Sequence, residues 1–236
     1  MHTRTDALPG VVTPILTADL LGRIHQLNFD YLELLAADGT SPIATGPRCL
    51  PDRVIESLRN ASTDTRQQIA ASSFALYSLG FEDQEFWRTA LRFDEQPLDG
   101  RYATMSSTTV HASFCELALL HAWHVALTQP IAARMIYAMP TPIIERIARA
   151  KLWQLRRIAV DHPAVLMPRW PTNPCFWPEM IKFAASGDTR RLHALQQLGH
   201  QLIAIDLQTS TEKRSPVRER QRNLLLQRLL ESKAMR

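Results

Sequence analysis

PTPIIERIARAKLWQLRRIAVDHPAVLMPRWPTNPCFW, residues 140–177, holds two short apolar-periodic stretches, a loop punctuated by prolines and an aromatic pair. A second version stands 89 positions earlier, at residues 51–87: PDRVIESLRNASTDTRQQIAASSFALYSLGFEDQEFW. Pro51 meets Pro140, Ile55-Glu56 meets Ile144-Glu145, Ala61 meets Ala150, Ile69-Ala70 meets Ile158-Ala159, and Ala75 meets Ala164. These are seven identities in the 26 ungapped pairs from Pro51 to Leu76, against roughly two expected from average composition. The mismatches Val54/Ile143, Leu58/Ile147 and Phe81/Trp170 keep their character, and one extra residue in the second loop aligns Phe86-Trp87 with Phe176-Trp177. The pattern reads as an internal duplication of a small helical unit.

Working outward, residues 19–38 carry Leu20, Leu21, Ile24, Leu27, Tyr31, Leu32, Leu34 and Leu35 at spacings of three and four, which predicts a helix. Thr17 or Asp19 is placed to cap it. Within the first unit, Asp52 and Ser62 or Thr63 are read as caps of two short helices, and a further helix is expected around 84–91. Residues 74–79 fit a strand, but such a short lone run has no evident partner. His111 to Thr128 reads as a long helix that ends before Pro130, with a short helical piece at 131–138. In the second unit Thr141 is expected to cap, and helices are expected over Phe176–Ala185 and from Thr189 to about Leu207. The expected class is all-α: an extended segment 1–18, a first unit 19–92, a linker 93–108, a second unit 109–207 and a basic tail helix 208–236.

The chain has 236 residues, 45% of them hydrophobic and 21% charged, a globular rather than a disordered composition. No apolar run approaches the ~18–20 residues of a membrane span, and three unpaired cysteines do not make a disulfide framework. The expected location is the cytoplasm of a bacterium-like cell. The net charge of +4 is uneven: residues 211–236 carry eight Lys/Arg and three Glu, leaving the rest at −1. Polyanion binding therefore belongs first to the tail.

His111, Cys115, His121 and His124 share one helix at spacings that soft-metal sites use. They divide between two faces, though, and no Cys-x-x-Cys pair completes a tetrahedron, so neither metal nor cofactor is expected. The sequence holds no phosphate loop, nucleophile elbow or His-Glu-x-x-His motif. Asp161-His162 sits where capping accounts for it, and an enzyme is not expected. The paired aromatics could stack bases, but they read better as plugs that close each unit. Helix–break–helix spacing in 141–160 has helix-turn-helix dimensions, with a basic face of Arg146, Arg149, Lys151, Arg156 and Arg157 that the first unit has only weakly. The tail adds Arg214, Arg218, Arg220, Arg222 and Arg228, with leucines at 224, 225, 226, 229 and 230. These ten basic residues are the candidates for contact with DNA or with a partner protein.

DLLGRIHQLNFDYLELLAAD, residues 19–38, resembles the opening helix of FlhD, the flagellar transcriptional regulator subunit, through Leu20-Leu21, Ile24, Leu27-Asn28, Tyr31-Leu32 and Asp38. Ala132-Ala133, Met135, Ile147-Ala148, Ala150, Leu152, Gln154-Leu155, Ile158-Ala159 and Arg169-Trp170 resemble the remainder of that family's pattern. FlhD is all-helical and dimeric, and it activates transcription together with the zinc-containing, DNA-contacting FlhC. The resemblance implies a bacterial transcription regulator that works through a protein partner, as a monomer imitating a dimer or as a homodimer, with DNA as a second target. The other expectation is a helical adaptor or scaffold, for example of a secretion or motility apparatus, with the tail as its docking helix.

Overall fold

A computed structural model of the chain describes residues 16–37, 49–92 and 109–209. The N-terminal segment, the linker and the basic tail fall outside the described residues. Within them the protein is all-α, with ten α-helices and one two-stranded antiparallel pair. The order is α1 (Ala18–Ala37), α2 (Asp52–Asn60), α3 (Thr63–Ala70), β1 (Tyr77–Ser78), α4 (Gln84–Ala90), α5 (Val110–Thr128), α6 (Pro130–Tyr137), α7 (Thr141–Arg149), α8 (Leu152–Asp161), β2 (Met167–Pro168), α9 (Phe176–Ala185) and α10 (Thr189–Thr209). A 3-10 turn at Pro163–Val165 leads into β2.

Local chemistry accounts for most of the helix starts. The hydroxyls of Thr17, Ser62 and Thr109 accept from the backbone N–H groups of Leu20, Thr65 and Ala112, the usual N-cap arrangement. Asn173 Oδ1 accepts from both Cys175 N (3.0 Å) and Phe176 N (2.9 Å) at the head of α9. Two expected caps are corrected: Asp52 and Thr141 are the first helical residues of α2 and α7, and Pro51 and Pro140 hold the cap positions without a side-chain bond. Each proline carbonyl accepts from the third and fourth residues after it, Val54 and Ile55 in one case, Ile143 and Ile144 in the other. A proline there costs no hydrogen bond, because the N–H it lacks would be unpaired at a helix start.

α2 and α7 begin and end 89 positions apart, as do the starts of α3 and α8. β1 and β2 start 90 apart. Gly80 and Trp170, also 90 apart, both have positive φ, 66° and 50°. The indole N–H of Trp87 donates to Gly80 O at 3.0 Å, and that of Trp177 donates to Arg169 O at 2.7 Å. The strand at 77–78 does have a partner, concealed in the proline-rich loop: Tyr77 pairs with Pro168 and Ser78 with Met167.

Packing follows the same scheme on both sides and then crosses over. α1 lies on α2 and α3, and α5 lies on α7 and α8. α9 leaves its own side to pack on α3 and α2, while α4 packs on α7. One contiguous core results, running from Leu20 in α1 to Ile203 in α10. Its aromatic centre joins Tyr31, Tyr77, Phe114 and Tyr137, with Phe74, Trp170 and Phe176 beside it. Asn28, fully buried in α1, ties α1 to the segment between α3 and β1. Its Nδ2 donates to the carbonyls of Ala70, Ser72 and Phe74, and its Oδ1 accepts from Leu76 N at 2.8 Å. Arg169, 4% exposed, donates through Nη2 to Tyr77 O and Ile136 O, and its backbone N–H donates to Leu76 O.

Candidate functional site

The basic face predicted on α7 and α8 separates into two groups. Arg146 and Arg149 lie exposed in the last turn of α7, and Lys151 is exposed in the break that follows. Cations at that end of a helix also offset its dipole. The break is two residues, Ala150 and Lys151, shorter than the three to four of a helix-turn-helix. Gln154 Oε1 accepts from Lys151 N at 2.8 Å and fixes the bend.

Arg157 is engaged within the fold, whereas Arg156 stays exposed beside one acidic neighbour. Arg156 Nε stands 3.6 Å from Glu116 Oε1 on α5. Arg157 Nη2 donates to Ala90 O at 3.3 Å, at the end of α4, and its guanidinium lies 5.3 Å from the centroid of the Trp153 ring. Gln154 Nε2 donates to Leu91 O in the same place. The crossing of α4 therefore brings Arg92, exposed and next in sequence, beside the α8 surface. No spacing along the chain signals that neighbour, because the exchange of α4 is tertiary. The exposed edge is thus Arg146, Arg149, Lys151, Arg92 and Arg156, the last shared with Glu116, with Leu152 half uncovered among them. Arg214, Arg218, Arg220, Arg222 and Arg228 lie outside the described residues.

The histidine and cysteine helix is α5. Cys115 is buried, and burial with Glu116 beside it pushes the thiol up to about 12, far from the thiolate that metals and nucleophilic chemistry require. His111 is buried, whereas His124 is exposed. His121 Nδ1 is 2.6 Å from Tyr137 Oη, and burial lowers its pKa to about 4, with smaller contributions from His124 and Arg23. Among the described residues, no three His, Cys, Asp or Glu side chains are grouped so as to hold a metal ion.

Asp161 and His162 are both exposed. His162 N donates to Ile158 O at 2.8 Å and its ring meets Phe86 edge-on, 5.3 Å between centroids. Trp87 and Trp177 are fully buried, so no nucleic-acid base can stack on either. Among the described residues no helix is long and apolar enough to cross a membrane.

A second surface was not anticipated from the sequence. On α5, Val110, Leu117 and Leu127 are 75%, 49% and 53% exposed. The signal was present: α5 holds one charged residue, Glu116, in its nineteen, which is more apolar than one buried face requires. Set against family models, curated proteins and solved structures, the chain matches none of them.

Proposed function

We propose that this chain is a non-enzymatic helical regulator that acts by binding: a protein partner, and the phosphates of duplex DNA along the α7–α8 edge. In this reading two related helical units in one chain take the place of a dimer, and the second carries a strongly basic face that the first has only weakly. The observation that carries it is the exposure of Arg146 and Arg149 with Lys151 at the corner between α7 and α8, joined by Arg92. Such a corner neutralises phosphates without reading bases. It is a sequence-tolerant electrostatic contact, to which the arginines of the tail can add.

The adaptor reading has its own support, the exposed apolar residues of α5 and the hydrogen bond that holds Arg157 against α4. Fluorescence anisotropy with a labelled duplex over a salt series separates the two. The full chain is expected to bind at about 50 mM salt and to weaken steeply by 200 mM. Replacing Arg146, Arg149 and Lys151 by Ala should flatten the salt dependence by up to about three counterions. Replacing Arg156 and Arg157 should lower thermal stability more than it changes that slope. Absence of binding at low salt leaves the adaptor.

A further inference from the structure

The outward side of α5 carries Val110, Ser113, Leu117, Leu120, His124 and Leu127. Their spacing is three, four, three, four, three, the seam of a coiled coil. Five of the six are exposed, and Leu120 is half-buried. The comparable helix α1 turns Asp19, Gly22, Arg23 and Gln26 to solvent instead, the ordinary outer face of a packed helix. The α5 seam is therefore built to receive another helix.

We propose that its occupant is α5 of a second copy of this chain, packed antiparallel about a twofold axis. In that arrangement each a position faces a d position of the partner helix. Val110 then meets Leu127, Ser113 meets His124, and Leu117 meets Leu120. Every apolar side chain finds an apolar one and the two polar side chains find each other, which is the self-complementarity an isologous contact requires. Charge permits it as well. Glu116 is the only Asp, Glu, Lys or Arg on α5 and already has Arg156 against it, so like charges do not oppose one another across the seam.

The tail of this chain fits the seam less well. In the sequence its leucines at 224, 225, 226, 229 and 230 are confined to seven positions, against the eighteen that the seam spans, with charged arginines at 218, 220, 222 and 228 around them. A single helix pair falls short of the ~800 Å² per partner of a standard interface, so the dimer is one of moderate affinity, which concentration controls. The inference does not rest on DNA binding.

Sedimentation equilibrium of the full chain from about 1 to 100 μM tests it, with cysteine pairing to fix the register. The apparent mass should rise towards twice that of the chain, and Leu117→Glu with Leu127→Glu should return it to one chain with the circular dichroism spectrum unchanged. Under oxidation Ser113→Cys/His124→Cys should give a covalent dimer, while Ser113→Cys alone should not, since its two copies stand about eleven residues of helix apart, roughly 16 Å. A single chain mass throughout, together with no cross-link from the double variant, overturns the proposal. So does efficient cross-linking of Ser113→Cys alone, which means parallel helices, or dimerisation that the two Glu substitutions leave intact.

Discussion

Asn28 shows how much of this fold depends on one polar side chain. It is fully buried, gives its amide hydrogens to the Ala70, Ser72 and Phe74 carbonyls and accepts from Leu76 N. That segment runs from α3 to β1 without regular structure of its own, so Asn28 supplies the bonds a ladder would have made. Asn28→Leu leaves several buried backbone groups without partners and should lower unfolding free energy by about 3 kcal/mol or more. Asn28→Asp should be worse, because a carboxylate offers three carbonyls no donor. Chemical denaturation checks both, and a loss under 1 kcal/mol for either removes Asn28 from this role. His121 sets a pH dependence. Its folded pKa, about 4, lies below the ordinary 6.5, so the fold holds the neutral ring and the unfolded chain takes up the proton more readily. Its contribution is complete above pH 6.5 and is lost as pH falls towards 4. The melting temperature of the native chain should drop across that window, and His121→Gln should drop less. Equal slopes would mean that other groups govern the acid limb.

At the scale of elements, the helices were legible in the sequence because apolar spacing and caps are local. The bounds of α9 follow from Pro174, from Asn173 Oδ1 holding the N–H groups of Cys175 and Phe176, and from Gly187, at which φ is 69°. The β1–β2 pair was not legible, since its second strand is two residues, Met167 and Pro168, inside a loop that four prolines dominate. Nor was the exchange of α4 and α9, which depends on side chains such as Gln154 and Arg157 reaching across 63 and 67 positions. The basic residues of the corner can be named from the sequence alone. Their division into exposed and committed residues could come only from packing. Gly199 in α10 gives a test at this scale. In a helix interior Gly→Ala ordinarily stabilises by about 1 kcal/mol. Here a Cβ would enter the ring of Phe74, which also packs on Trp170, Phe176 and His200. The clash should outweigh the propensity, and Gly199→Ala should destabilise by about 1–3 kcal/mol. Gly22→Ala in α1, where a Cβ meets nothing within 4 Å, should stabilise instead. The pair of melting curves decides whether α10 is seated this closely.

For the whole molecule, the crossed packing sets the folding unit. α9 covers α3 and α2 although it comes a hundred residues later, and α4 ends against α8 through the Leu91 and Ala90 carbonyls. The β1–β2 pair, the bond from Ala75 N to Ile136 O, and Arg169 between Tyr77 and Ile136 all join the same two regions. A first half made alone would leave Phe74 without Trp170, Phe176 and His200. A second half made alone would leave Arg169 buried against carbonyls that are absent. Neither should form a stable core, since an uncovered aromatic face and a partnerless buried charge each cost several kcal/mol, a large fraction of the stability of any domain. Cutting the chain within the linker 93–108 tests this directly. Residues 1–100 and 101–236 expressed separately should show weak helical signal and no cooperative melt. Co-expressed, they should copurify through a tag on either one and unfold in a single transition. If each half melts cooperatively alone, the two regions are separate domains that merely touch, and the exchange of α4 and α9 contributes little to the fold.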